Sequence, residues 1–398
     1  MTALEPAITR GTVVGLGASQ LTCWGLSYYL IGVFGETIAA DLGWRPSLVY
    51  GGFSAALVVM GLVSAPVGRL IDRVGGRPVM AAGSVLIAAG CLGLSAADGV
   101  AGYYAAWMVL GLAMRMTLYD AAFATLARIG GPAARRPIAQ ITLLGGLAST
   151  AFWPIGSALI AGLGWRGALA AYAGIALLTV PLHLTIPRDR HEFAAGPASG
   201  REARTAAGRR SDWGVAALYA AVVTLTAFLN SAMSAHMIGL LSGLGLSAAA
   251  AVWIASVRGI GQSSARLGEV LFGRRLDPLV LNLIATGLIP VGIAVGLASG
   301  AWLAAALAFA LLYGAGNGLA TITRGTLPLV LFDPATYGTV VGRLLVPSFF
   351  LSALAPFAYA VVIERLGDAA ALWLSVGVAT ATLIASLALW RIRRAQAA

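Results

Sequence analysis

Five arginines stand inside long apolar stretches of this 398-residue chain: Arg115, Arg258, Arg266, Arg324 and Arg343. An arginine at the centre of an apolar helix costs about 2.5–3.5 kcal/mol on insertion scales, so each implies a partner or a water-filled cavity beside it. The planar guanidinium fork suits bidentate capture of a carboxylate or comparable oxyanion. One stretch sets Arg258, Gln262, Arg266 and Glu269 at spacings of four, four and three, which is one face of a helix. Arg266 and Glu269 are placed to pair with each other. Arg258 and Gln262 have no local acid and are expected to line a cavity. A second stretch puts Asn317, Thr321 and Arg324 on one face, and a third sets Arg115 and Tyr119 four apart. Arg343 lies near a helix end, where its head can snorkel to water.

Other polar groups are sparser. Gln20, Trp24 and Tyr28 form a stripe at intervals of four, which suits either packing or binding. Asn230 and His236 share one apolar stretch, and His236 is either a proton-coupling group or a packed histidine. Asp120 follows Arg115 by five residues and is a second candidate proton carrier. Glu36 and Glu364 fall at helix ends and are expected to be solvated. The three histidines (His183, His191, His236) are scattered, and Cys23 and Cys91 lie in separate apolar runs. Neither set has metal-ligand spacing, paired catalytic carboxylates are absent, and no cofactor is implied. An enzyme is therefore not expected.

The helices that carry these residues can be read from composition. With 59% hydrophobic residues, 10% charged residues and a mean hydropathy of +0.87, the chain departs far from soluble proteins, which carry about 25% charged residues. The bilayer is its solvent. The net charge of +11 does not indicate nucleic acid, because no basic stripe interleaves with aromatics. Apolar runs of about 18 residues or more read as spans; they number twelve, near 12–36, 47–70, 78–97, 101–126, 138–162, 166–187, 213–241, 247–272, 279–299, 301–331, 338–363 and 369–390. With both termini cytoplasmic, 18 arginines fall on the cytoplasmic side and only Arg45, Arg166 and Arg365 on the other. The positive-inside rule then sets the orientation. Residues 188–212, polar and arginine-rich, bisect the spans six and six and read as a solvated linker. The first dozen residues lack a basic n-region and cleavage site, so the first span is expected to stay.

The halves echo one another at an offset of about 202 to 205: Pro154 with Pro356, Gly111 and Ala113 with Gly314 and Gly316, and Gly68-Arg69-x-x-Asp72 with Gly273-Arg274-x-x-Asp277. Between spans 2 and 3 lies the charged hairpin Gly68-Arg69-Leu70-Ile71-Asp72-Arg73-Val74-Gly75-Gly76-Arg77-Pro78. Gly68, one turn before Asp72, is a position where a small side chain admits a neighbouring helix. Gly68, Asp72, Arg73, Gly75 and Arg77 match the signature loop of the major facilitator superfamily, which the chain resembles over essentially its whole length. Asp41-Leu42-Gly43-Trp44 and Gly164-Trp165-Arg166 also resemble its bacterial monocarboxylate and oxalate/formate branch.

The resemblance implies an all-α membrane protein of twelve transmembrane helices in two six-helix halves related by a pseudo-two-fold: residues 1–187 and 213–398, joined by 188–212. It implies a secondary transporter in the inner membrane working by alternating access. Helices 1, 4, 7 and 10 line the cavity of such proteins, which makes Trp24, Tyr28, Arg115, Tyr119, Asn230, Gln262, Asn317 and Arg324 candidate substrate contacts together with Arg258. Basic residues in helices 8 and 11 of that branch point to Arg258 and Arg343. Asp120 is expected to meet Arg73 or Arg77 at an inner gate, and Asp72 to face the start of span 11 near Tyr337–Arg343. Two or three deep arginines with at most one distant acid favour a small organic anion as substrate, unless Asp120 or Glu269 neutralises them. Proton-coupled drug efflux and a receptor or scaffold without flux are the alternatives. The partners expected are the small solute, the bilayer and a proton or counter-substrate, with the chain a monomer.

Overall fold

A computed structural model describes residues 8–130, 134–188, 206–272, 276–332 and 344–397. Arg343, the 337–343 segment, the Gly273-Arg274 echo and His191 lie outside the described residues, as do residues 189–205 of the linker.

The described residues form sixteen α-helices: α1 (Arg10–Cys23), α2 (Leu30–Leu42), α3 (Pro46–Leu62), α4 (Ser64–Val74), α5 (Gly76–Ser95), α6 (Val100–Thr117), α7 (Tyr119–Gly130), α8 (Arg135–Gly145), α9 (Ala148–Leu177), α10 (Thr179–Leu184), α11 (Ala206–Gly243), α12 (Ala248–Phe272), α13 (Pro278–Gly296), α14 (Leu303–Leu331), α15 (Val346–Leu366) and α16 (Asp368–Ala397). Helix α11 starts at Ala206, inside the expected linker.

These make twelve crossings. Eight helical stretches among the described residues are long and apolar enough to span a bilayer unaided. One of them, Arg136–Leu184, has 49 residues, about 70 Å at 1.5 Å per residue, and must cross twice. Gly164, at φ 65°, supplies the break, a conformation open to glycine because it lacks Cβ. Helices α3 and α4 form one span bent by 51°. Helices α1 and α2 form another, joined by a π turn over Trp24–Tyr28. Helix α12 completes the set, its charges being Arg258, Arg266 and Glu269. All connections alternate between two faces: a motif face, carrying the 74–76 loop and both chain ends, and a far face, carrying the turns at Gly43, Gly164, Gly245 and Gly367.

The echo seen in the sequence is present in the packing. A Cβ on Gly111 of α6 would strike the backbone of Ala56 in α3, and one on Gly314 of α14 would strike the backbone of Arg258 in α12. Gly90 packs on Leu110, and Gly292 on Leu312. Each pair recurs at an offset of about 202 to 203, so the two six-helix halves are built alike.

The halves meet along three lines. Helix α2 approaches α11 so closely that a Cβ on Gly32 would lie 2.5 Å from Ser234 O. Helix α3 lies on α15, and α9 on α12. In the last contact Thr150 Oγ1 donates to Ser256 O at 2.6 Å and Ser263 Oγ to Leu143 O at 3.0 Å. On the far face Arg166 ties three turns together by pairing with Asp41 at 3.0 Å and Asp98 at 2.6 Å.

Candidate functional site

A cavity of about 470 Å³ lies between the halves. It runs from Trp24, Tyr28 and Asn230 at mid-depth down to Gly325 and Leu345 near the motif face. Two local irregularities shape its first-half wall. In the π turn the Tyr29 amide bonds the carbonyl of Trp24 at 3.0 Å, one residue beyond the α-helical partner. The inserted residue rotates the remainder of the span. Trp24 and Tyr28 then stand together on the cavity, ring centroids 4.9 Å apart, while Gln20 leaves the stripe and donates to the buried Thr117 carbonyl at 2.7 Å. The second irregularity is Leu118, whose ψ of −173° parts α6 from α7. Arg115 falls in the last turn of α6 and Asp120 in the first turn of α7. Each is placed favourably with respect to its helix dipole, and their side chains pair at 2.7 Å.

The second-half wall is regular. Asn317, Thr321 and Arg324 face the cavity from α14 together, as their spacing of four and three requires. Arg324 forms no ion pair among the described residues. Across from them Asn230 of α11 accepts two hydrogen bonds on Oδ1, from Arg258 Nη2 at 2.6 Å and from Asn317 Nδ2 at 2.8 Å. Arg258 is fully buried behind this pair. Its Nη1 donates to Ser234 Oγ at 3.2 Å, and its guanidinium lies 5.7 Å from the ring of Tyr29 and 5.2 Å from that of Tyr313. No carboxylate neutralises it among the described residues. Rings and neutral hydrogen bonds hold this cation, and its field reaches the cavity through the Asn230 amide.

Of the residues expected to touch a substrate, Trp24, Tyr28, Tyr119, Asn230, Asn317 and Arg324 line the cavity, and so does Asp120. Three are placed elsewhere. Arg115 is held by Asp120, with Nη2 3.5 Å from the Ser64 carbonyl. Arg258 stands one layer back. Gln262 is buried where α12 and α14 touch, its backbone carbonyl against Gly318. Arg266 does not pair with Glu269. It donates to the Thr142 carbonyl at 2.6 Å and the Gly318 carbonyl at 3.4 Å, and so braces α12 against both α8 and α14.

The gating residues also differ from expectation. Asp120 meets Arg115 rather than Arg73 or Arg77. The loop is instead held by Arg128, whose Nε donates to the Asp72 carbonyl at 3.3 Å. Asp72 and Arg73 are exposed, and Arg77 is half-buried. A Cβ on Gly68 would meet nothing within 4 Å, so no helix crowds it in this state. On the far face, Glu364 is not merely solvated: its Oε1 accepts from the Ser47 amide in the first turn of α3, across the line between the halves. The Glu36 carboxylate rests on Gly239. His236 joins this seal. Its Nε2 donates to the Pro356 carbonyl at 2.8 Å and its ring lies 4.0 Å from that of Tyr50. The far side of the cavity is thereby closed.

Sequence reasoning missed Tyr29 and Tyr313, which shelter Arg258, and Ser348, Phe349 and Ser352 of α15, which complete the wall. No spacing marks them, because their role depends on helix rotation.

Residues 17–356 match the sequence model described as the Major Facilitator Superfamily. No curated protein sequence matches the chain. Among solved structures, a point mutant of the nucleoside transporter NupG superposes with a TM-score of 0.72 at 15% identity, covering 95% of this chain and 99% of that one. Wild-type NupG gives 0.69 at 15% identity, covering 96% and 98%. A bacterial homologue of the human lysosomal transporter Spinster, solved inward-facing and occupied, gives 0.66 at 14% identity, covering 96% of each chain. At these identities the likeness speaks for the fold.

Proposed function

The chain belongs to the major facilitator superfamily, a multi-pass membrane transporter rather than an enzyme, and from that premise we propose that it moves a small organic anion by alternating access. The observation that carries the reading is the charge balance of the cavity. Asp120, the one acid on its wall among the described residues, is matched by Arg115, whereas Arg324 and the buried Arg258 have no carboxylate partner there. Two uncompensated cations in low-dielectric walls make the potential positive, and a guanidinium on the wall suits an oxyanion.

The arginine bias of the loops supports an inner-membrane orientation with the motif face and both termini in the cytoplasm. The cavity is then open inward and the seal at His236, Tyr50 and Glu364 is the outer gate. Residues 1–187 and 213–398 are the rocking halves, and in the opposite state Asp72 closes on the start of the eleventh span, where Gly68 admits it. His236, locked in the seal by its bond to Pro356, serves closure better than proton transfer.

The aromatic wall of Trp24, Tyr28, Tyr119 and Phe123 favours the rival reading, export of lipophilic cations. Thermal-shift binding to the purified protein separates the two. Benzoate and related carboxylates should stabilise it, and Arg324→Gln should remove the effect. Stabilisation by lipophilic cations alone would overturn the anion reading.

A further inference from the structure

The two asparagines at the head of the cavity have their orientation imposed on them. Arginine has only donors, so the Asn230 amide must turn its oxygen to Arg258, 2.6 Å away. That oxygen also faces Asn317, 2.8 Å away, so Asn317 must present its NH₂ to it. What remains for the cavity is therefore fixed. Asn230 offers its Nδ2 hydrogens, polarised by the cation behind, and Asn317 offers its Oδ1. Neither atom has a protein partner among the described residues. One wall position donates and its neighbour accepts.

A carboxylate is a poor occupant of this head, because it has no hydrogen for Asn317 Oδ1 and would face that oxygen's negative end. Arg324 has no such conflict. It lies on the same face of α14 as Asn317, seven residues on, about 10 Å along the axis at 1.5 Å per residue. The space between is walled by Trp24, Tyr28 and Tyr119, which suits a flat apolar body.

Resting on the proposed anion transport, we infer that the ligand is two-headed: a monoanion whose oxyanion pairs with Arg324 and whose opposite end is a neutral group that both accepts and donates, of the carboxamide or lactam kind, on a planar body. Dicarboxylates and plain aromatic acids fill only part of this site. Arg258 is a positioning residue, acting on the ligand through Asn230.

Four probes on one ring test this by calorimetry on the purified full-length protein: 4-carbamoylbenzoate, its N,N-dimethyl analogue, terephthalate and benzoate. The expected result is that 4-carbamoylbenzoate binds at least tenfold more tightly than the other three, since the dimethyl analogue lacks the hydrogen for Asn317 and terephthalate brings a second charge. Asn317→Leu should erase that preference while leaving benzoate binding within about twofold. The wild-type series stands by itself should that variant not fold. If benzoate and terephthalate bind as well as the amide, the two-headed ligand is wrong and the anion reading survives. If none of the four binds, both fall.

Discussion

Replacing Asn230 by aspartate tests the electrostatics of the site with a change of one atom type. The Oδ1 that now accepts from Arg258 at 2.6 Å would carry charge, giving a fully buried cation the counter-ion it lacks among the described residues. The fold should tolerate this, because it satisfies a buried charge rather than creating one. The cavity would lose one of its two uncompensated positive charges. An anion at Arg324, about 10 Å away along α14, would lose roughly 332/(20 × 10), or about 1.7 kcal/mol, at an effective dielectric constant of about 20. That is a weakening of roughly fifteen- to twentyfold. Benzoate is the right probe, since it does not use the amide head and so reports charge alone. Calorimetry on wild type, Asn230→Asp and the neutral control Asn230→Ser, with melting curves for each, gives the answer. Benzoate affinity unchanged within twofold in a folded Asn230→Asp protein would refute the claim that Arg258 sets the potential of the cavity.

Asp120→Asn should have the opposite sign: with Arg115 no longer neutralised, anion binding tightens in calorimetry, while stability falls by about 1 kcal/mol because the lost pair is part-exposed. Glu364→Gln weakens the bond to the first turn of α3 by about 1 kcal/mol, which should raise the far-face-open population about fivefold; spin labels at Arg45 and Leu366, measured by pulsed EPR, read it as a longer distance. Gly111→Val forces a side chain onto the Ala56 backbone and should cost about 1–3 kcal/mol, whereas Gly68→Ala meets open space and should leave the melting temperature in detergent unchanged or slightly higher.

Much of the architecture was legible because its signals are local. Arginines cannot lie in hydrocarbon, so their positions mark the loops, and the Gly68–Pro78 hairpin marks one turn with unusual clarity. The duplication could be read from Pro154 and Pro356 and from Gly111 and Gly314, since proline and glycine leave traces that drift slowly in spacing. The cavity wall on α14 was legible for the same reason: Asn317, Thr321 and Arg324 sit on an unbroken helix, where period alone decides the face. The first-half wall was not. Nothing in Met114–Ala122 contains a glycine or proline to announce the break at Leu118, and that break brings Asp120 to Arg115. The π turn at Trp24–Tyr28 shifts the register by one residue with only Gly25 inside it, which removes Gln20 from the stripe. Arg258 was placed one layer too far forward. In a helix apolar on every side, no amphipathic contrast tells the cavity from the interior of a half, and only packing against Asn230, Tyr29 and Tyr313 distinguishes them.

The central claim is that a positively charged cavity carries an anion across the membrane, and flux through Arg324 tests it most directly. Uptake of radiolabelled benzoate or 4-carbamoylbenzoate should be measured in proteoliposomes holding equal amounts of wild-type and Arg324→Gln protein, with protein-free liposomes as background. Saturable uptake by the wild type, reduced about a hundredfold in the variant as expected for loss of a charge-paired contact, is the predicted result. Equal flux through the two proteins, or saturable flux of a lipophilic cation in place of either acid, would contradict it.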